Sequence, residues 1–433
     1  MKRRLDTSRL VKTGALRGAY RMSFFGVHIQ GNRLLRARLI GERVSAAPTQ
    51  SKKSASVRIA IFARSGENDR LNRSWLQWLG VAHRFNRYGY IPMSQIDESL
   101  FTTPACVTRC PSNPVLASKD VPGEPSLVFN AGVCKYQGKY VMVYRCDDVF
   151  RVDKREDGSD WHRFKTWIGI AYSDDGIKWE AQEKPCFSLS SDEILRAYDP
   201  RLTVIDGKVV MCFAVDTKHG VRGGIATTED FEKFDIKTMT VPDNRNMVLF
   251  PEKINGMYVR LERPFPVYSR GKDRFDLWGS QSPDLRYWGD HKLVLAVEDV
   301  PFANDKIGPA APPVKTDAGW LTTFHAVDRD ESRGKNGWEP QWKKRYTGGI
   351  MLLDLENPMK VKGICKTPLI NPEAPYESDE GFRQDVIFPG GMILEDSGEV
   401  KIYYGAADTV EALVTADVND LIALCSEPGP VHE

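Results

Sequence analysis

Between about residue 125 and residue 417 the sequence runs five times through the same order of events: a short opening motif, a turn glycine, a strand-like run, then a further strand-like run closed by a polar turn. The first unit reads Phe129-Asn130-Ala131-Gly132, Gln137-Gly138, Tyr140-Val141-Met142-Val143-Tyr144. The second reads Tyr198-Asp199-Pro200-Arg201, Asp206-Gly207, Val209-Val210-Met211-Cys212-Phe213. Phe250-Pro251-Glu252 leads through Asn255-Gly256 to Tyr258-Val259-Arg260-Leu261, and Gly308-Pro309-Ala310-Ala311 through Ala318-Gly319 to Trp320-Leu321-Thr322-Thr323-Phe324. The fifth unit opens at Phe388-Pro389-Gly390-Gly391 and passes Ser397-Gly398 into Val400-Lys401-Ile402-Tyr403-Tyr404.

A glycine after Asp, Asn or a similar residue takes the positive φ that tight hairpin turns demand, so each unit contains a hairpin. The next run, such as Gly169-Ile170-Ala171-Tyr172-Ser173 or Gly224-Ile225-Ala226-Thr227-Thr228, supplies another strand. Repetition of a small sheet predicts an all-β five-bladed β-propeller, in which radial packing protects the strand edges. A β-sandwich has similar strand content without the five-fold echo, and ranks second. In a propeller the opening motif is the innermost strand, which predicts that Asn130, Asp199, Arg201, Glu252 and Asp385 converge on the central axis.

Charge divides the chain. Residues 1–92 hold 19 Lys and Arg against 4 Asp and Glu, a net +15, while residues 93–433 carry −13. The basic segment shows no period that would build a core, and reads as a disordered extension, removable by starting at Met93. A nucleic-acid-binding arm or a transit peptide are the other readings of such a leader, and neither has a second supporting motif. No stretch approaches the roughly 18 apolar residues of a spanning helix. The eight cysteines form no Cys-x-x-Cys pair or zinc pattern, so free thiols in a reducing cytoplasm are expected, with no metal.

Ionisable residues crowd the predicted funnel. Arg145, Asp147 and Asp148 follow the first hairpin, Arg245 follows Asp243-Asn244, Glu262-Arg263 follows the third hairpin, Lys306 precedes the fourth inner strand, and His325 and Asp408 follow the fourth and fifth hairpins. Each alone has a structural explanation, since Asp forms turns and Arg beside Glu forms ion pairs. Their recurrence at equivalent places favours a site. Several Arg and Lys with one His suit an oxyanion such as phosphate, and a single carboxyl group could protonate a leaving oxygen. Tyr198, Phe302, Tyr346, Tyr376 and Tyr404 are candidate stacking surfaces for sugars. Neither a nucleotide-binding glycine fingerprint nor a nucleophile elbow is present.

Phe129-Asn130-Ala131-Gly132, Tyr198-Asp199-Pro200-Arg201, Leu249-Phe250-Pro251-Glu252-Lys253-Ile254-Asn255-Gly256, Lys306-Ile307-Gly308 with Pro312-Pro313, and Tyr403-Tyr404-Gly405-Ala406-Ala407-Asp408-Thr409 together resemble glycoside hydrolase family 130 over roughly residues 110–425. The resemblance implies a five-bladed propeller and inverting phosphorolysis of a β-mannosidic bond, β-1,4 being the expected linkage, to α-mannose 1-phosphate and a shortened acceptor. It implies Asp199 as proton donor, acting through the mannosyl 3-hydroxyl. Phosphate ligands map onto Arg245, Arg263, Lys306 and His325; substrate-binding positions map onto Asn130, Arg145, Asp148, Tyr198, Arg201 and Asp408. Inorganic phosphate would be a co-substrate, with no other cofactor. Oligosaccharide and phosphate would be the partners, without nucleic acid or membrane, and a homo-oligomer is compatible with the sequence.

Three departures bear on the acceptor. Arg145-Cys146-Asp147-Asp148 stands where the family often has Arg-Val-Glu-Asp, Glu262-Arg263 stands where His or another residue often precedes the Arg, and a charged insertion spans Asp328 to Tyr346. A β-mannosidase of the same fold, with Glu252 or Glu262 as base, and a non-catalytic carbohydrate-binding propeller are the alternatives.

Overall fold

The computed structural model describes residues 96–156, 158, 160–265, 275–333 and 342–432. The predicted extension 1–92 lies outside the described residues, as does the middle of the charged insertion. Tyr90–Glu433 groups as one compact unit.

After a short β1 (Thr108–Arg109), blade 1 comprises β2 (Leu127–Tyr136), β3 (Lys139–Lys154), β4 (Asp160–Ser173) and β5 (Glu180–Ala181). Blade 2 comprises β6 (Ile194–Ile205), β7 (Lys208–Thr217), β8 (Gly220–Thr228) and β9 (Asp235–Met239). Blade 3 holds β10 (Asn244–Leu249), β11 (Tyr258–Pro264), β12 (Leu277–Ser282) and β13 (Gly289–Leu295). Blade 4 contains β14 (Lys306–Pro309), β15 (Val314–Thr316), β16 (Gly319–Arg329), β17 (Lys344–Leu353) and β18 (Val361–Ile364); blade 5 follows with β19 (Ile387–Leu394), β20 (Glu399–Ala406) and β21 (Val410–Asp417). The last strand, β22 (Glu427–Pro428), returns to β18. The paired strands within each blade run antiparallel, and β1 completes blade 5 by pairing with β21. The first strand thus closes the ring against the last blade.

The predicted hairpins form where the sequence places them. Gln137-Gly138, Asp206-Gly207 and Asn255-Gly256 all have positive φ at both residues, the type I′ geometry whose twist matches that of paired strands. The polar turns that end the third strands repeat too: Asp175, Asp230, Asp284 and Asp354 each accept two backbone N–H groups from the residues that follow. In three blades an aromatic ring on the second strand covers a glycine directly across on the third, as Tyr144 covers Gly169, Phe213 covers Gly224 and Phe324 covers Gly349. A Cβ on any of these glycines would come within 2.6 Å of the ring. The rings need that space to lie flat between blades.

Burial follows the radial arrangement. The first eight residues of β2 are all buried, because an inner strand has blades on both faces. Val141, Val143 and Ile168 of blade 1 pack with Leu202, Met211 and Phe213 of blade 2, and Val210 and Ile225 of blade 2 with Met247 and Leu249 of blade 3. Each face buries side chains worth about 1.5–3 kcal/mol apiece, which makes the blades mutually dependent. Among the described residues no helix is long and apolar enough to cross a membrane, no group of His, Cys, Asp and Glu could hold a metal ion, and all eight cysteines are free.

One opening motif is corrected by the structure. The innermost strand of blade 3 is β10, and Phe250-Pro251-Glu252 lies beyond its end. Glu252 is exposed and pairs with Lys315 at 2.6 Å, away from the axis. The motif equivalent to Phe129-Asn130 and Tyr198-Asp199 is Arg245-Asn246, where the backbone makes the same bulge.

Candidate active site

The inner strands of blades 1, 2 and 3 each carry a bulge at the same level. Register breaks between Phe129 and Gly132, between Tyr198 and Arg201, and between Arg245 and Val248. The first bulged residue is left-handed in all three, with φ of 54° at Asn130, 51° at Asp199 and 58° at Asn246. Asn and Asp tolerate this region because their short polar side chains bond locally, and a bulge re-aims a side chain out of the strand's alternation. All three line one cavity, together with Arg145, Arg245 and Asp408. Trp342, Tyr346, Arg383, Val386 and Phe388 complete its wall.

On one side of this cavity the charges are matched. Asp199 accepts from Asn130 Nδ2 at 3.0 Å and from Arg145 Nη1 at 3.2 Å. Arg145 is in turn gripped by Asp147 through Nε at 3.0 Å and Nη2 at 2.5 Å, and its guanidinium lies between the rings of Phe129 and Tyr198, 4.7 and 4.8 Å from their centroids. Thr166 fixes the other oxygen of Asp147 at 2.6 Å. Burial by itself would raise the pKa of Asp199, but Arg145, Arg201 and the Asn130 hydrogen bond outweigh it and hold the carboxyl below its ordinary value. Asp408 pairs with Arg383 at 2.8 Å, and here burial prevails and raises its pKa.

On the other side cations face one another. Arg245 and Arg263 are direct cross-strand partners on β10 and β11, an arrangement that repels unless an anion intervenes. Arg263 donates to His325 Nε2 at 2.8 Å, which leaves the ring proton on Nδ1. Gly308 sits opposite His325, and a Cβ there would meet the imidazole at 2.5 Å and Arg263 Cδ at 2.8 Å. Lys306 and His325 flank Tyr346, at 5.5 and 6.2 Å from its ring centroid. Burial, then Arg245, pushes Arg263 down to about 9. Burial and Arg263 likewise push Lys306 well below the usual lysine range, and His325 is driven well down by burial, Arg263, Lys306 and Arg245. Asp305 is 4.0 Å from Lys306 but is shared with Lys344 at 2.8 Å. The Nε atoms of Arg245 and Arg263 are buried with no partner among the described residues. The cluster has donors and positive charge to spare.

The comparisons with known proteins place the chain in a family. The model of glycoside hydrolase family 130, described as beta-1,4-mannooligosaccharide phosphorylase, matches residues 107–427. The chain belongs to that family. A beta-1,4-mannooligosaccharide phosphorylase of Ruminococcus albus is 33% identical over 331 residues, covering 73% of this chain and 90% of the relative. A beta-1,2-mannobiose phosphorylase of Listeria innocua is 31% identical over 320 residues, 71% of this chain and 85% of the relative. The solved complex of the Listeria innocua beta-1,2-mannobiose phosphorylase with beta-1,2-mannobiose superposes with a TM-score of 0.62 at 27% identity, over 74% of this chain and 99% of that one.

Within this family 130 chain, the cavity gathers Asn130, Arg145, Asp199, Arg245 and Asp408 of the predicted set, with Arg263, Lys306 and His325 grouped beside Tyr346. Three predicted substrate contacts go elsewhere. Asp148 is on the opposite face of β3 from Arg145 and accepts from Ser126 N and Oγ. Tyr198 donates to Asp216 at 2.7 Å and meets Arg245 at 3.4 Å, so it braces two arginines from below. Arg201 is buried and spends its guanidinium on the backbone carbonyls of Ala310, Asn130, Pro200 and Pro389, joining four blades at the axis. Of the aromatic candidates Tyr346 lines the cavity, whereas Phe302 is stacked on Phe324 in the core and Tyr376 and Tyr404 belong to a network around Glu377 and Asn113. Asn246, Trp342 and Arg383 escaped the sequence reading. The Arg-Asn pair at 245–246, parallel to Phe-Asn and Tyr-Asp in the first two units, was the available signal for Asn246. Trp342, stacked on Tyr346 at 5.7 Å, lies within the charged insertion and has no repeat to mark it.

Proposed function

We propose that this chain catalyses inverting phosphorolysis of a β-mannosidic bond, with Arg245, Arg263, Lys306 and His325 as the phosphate cradle and Asn130, Arg145 and Asp408 as sugar contacts. The observation that carries the reading is the facing pair Arg245 and Arg263, two cations set opposite each other with buried donors unspent. A phosphate dianion satisfies both, and fixed cations in a sheltered site hold it at far lower reorganisation cost than water would. A phosphate oxygen attacks the anomeric carbon from the face opposite the leaving oxygen. As the C–O bond to the acceptor breaks, the leaving oxygen takes a proton from the mannosyl 3-hydroxyl, which is replenished from the Asp199 carboxyl group. The products are α-mannose 1-phosphate and the acceptor with its hydroxyl restored.

Asp199 must carry a proton for this step, although its protein neighbours favour the carboxylate. An arriving dianion offsets the arginines, and like charge nearby raises a carboxyl pKa. Phosphate binding and protonation of the acid are therefore coupled. A water-using mannosidase needs a second carboxylate to activate water. Glu262 does not offer one: Arg260 at 2.8 Å, His291 at 2.9 Å and Asn244 at 2.6 Å bind it on the face of β11 away from Arg263, and Glu252 is at the surface.

The linkage is proposed as β-1,4, supported by the family description and the Ruminococcus albus relative; β-1,2 is the second reading, supported by relatives of nearly equal identity. Incubation with β-1,4-mannobiose, β-1,2-mannobiose and mannosyl-glucose, each with and without phosphate, tests both points. Mannose 1-phosphate formed only with phosphate is expected, and free mannose formed at full rate in phosphate-free buffer overturns the phosphorylase reading.

A further inference from the structure

We propose that Glu411 is a positioning residue for the proton donor: its buried carboxyl group holds the Asn130-Ala131 bulge in the shape that presents the Asn130 amide to Asp199. The inference rests on the reading of Asp199 as the acid. Glu411 belongs to β21, two strands away from the axis in blade 5, yet its side chain is fully buried and reaches into blade 1. There Oε2 accepts the backbone N–H of Ala131 at 3.1 Å, next to the Asn130 peptide.

The need for such an acceptor follows from the bulge. The β2–β3 register skips Asn130 and Ala131, so these residues have no partners in the ladder, and a buried N–H left unmade costs about 1–3 kcal/mol. Glu411 supplies the missing partner from a neighbouring blade. The bulge in turn fixes Asn130 at φ 54°, from which Nδ2 reaches Asp199 at 3.0 Å. The surroundings leave no slack, since a Cβ on Gly405 would approach Asn130 Oδ1 to 2.2 Å and one on Gly390 would approach the Ala131 carbonyl to 2.0 Å.

The charge state suits the task. The cation beside Glu411 is Arg201, already committed to four backbone carbonyls, and the other charged neighbour is Asp199 itself. Burial pushes the Glu411 carboxyl up to about 8, so near neutral pH it accepts the N–H as an uncharged acid and adds no negative charge where phosphate must bind.

Glu411→Leu removes the acceptor at similar volume, and Glu411→Gln keeps it as an amide carbonyl. Leu is expected to lower kcat for phosphorolysis about 10- to 100-fold with KM for phosphate within about twofold, as displacement of a group that aligns the acid does. Gln is expected to keep kcat within about threefold. Asn130→Ala combined with Glu411→Leu should be no worse than the poorer single variant, because both act through one contact. Wild-type kcat in folded Glu411→Leu, or a drop beyond tenfold in Glu411→Gln, overturns the proposal, and the Gln result decides even where the Leu variant does not fold. Failure of the underlying reading is distinct: Asp199→Asn would then turn over near the wild-type rate, or the wild-type protein would form no mannose 1-phosphate.

Discussion

The two halves of the cavity treat charge in opposite ways. Around Asp199 every charge has found its counterpart, in the chain Asn130–Asp199–Arg145–Asp147–Thr166 and in the pair Arg383–Asp408. Around Arg263 the neighbours are Arg245, Lys306 and a histidine, with Asp305 the shared acid at the edge. A closed network needs no ligand to be stable and serves to hold geometry. An open cluster of like charges is paid for by the rest of the fold, and recovers its cost only when an anion enters.

The sharpest break of this contrast is at Asp199. Asp199→Asn keeps the hydrogen-bonded frame and removes the transferable proton, so kcat in both directions should fall about 10²–10⁴-fold without loss of the folded state. A variant turning over near the wild-type rate would remove Asp199 from the mechanism. Lys306→Met probes the open half: KM for phosphate should rise about 10- to 150-fold, the loss of one charge-assisted hydrogen bond, while the phosphate-free protein melts no lower than wild type. The rise in Tm that phosphate gives the wild-type protein should shrink correspondingly. A Lys306→Met protein that melts lower yet binds phosphate normally would show the lysine to be structural.

Arg383→Met probes the closed half in the same way, with the opposite signature expected. It strands the Asp408 carboxyl group, and because Arg383 is partly exposed the cost should be about 1–3 kcal/mol, read as a lower Tm with or without phosphate. Unchanged Tm would mean that the pair is matched by geometry alone. Taken per pH unit, the smallest effect is that of Glu411. Its folded pKa of about 8 lies above the ordinary 4.5, so the folded protein holds a proton that the unfolded chain has released, and this contribution to stability declines as pH rises from about 4.5 to 8. The slope is at most about 1.4 kcal/mol per pH unit. Glu411→Gln should therefore gain on wild type in Tm over that window, and a constant difference between the two would place the titration elsewhere.

Particular residues show where reading the chain succeeds and where it stops. Gln137-Gly138, Asp206-Gly207 and Asn255-Gly256 announced their hairpins, because a turn is a local conformational demand met by a few adjacent residues. Asp199, Arg245, Arg263, Lys306 and His325 were legible from motif and charge type. Glu252 was misplaced because the apolar run Met247-Val248-Leu249-Phe250 continues past the strand's end, and the bulge at Asn246 leaves no mark in hydrophobic pattern. The family resemblance points Arg201 and Asp148 at substrate, yet the bulge before Arg201 turns it to the backbone carbonyls and strand alternation sets Asp148 on the face opposite Arg145.

The sequence by itself determined the five-fold repetition, the blade count and the chemical types at the centre, since each depends on turns and alternation within some tens of residues. The tertiary structure alone decided that Arg245 stands opposite Arg263, that Arg201 ties four blades rather than binding sugar, and that Glu411 supports a bulge in blade 1 from blade 5. These partners are up to 280 residues apart and meet only when the ring closes, so nothing local to either one could encode the contact.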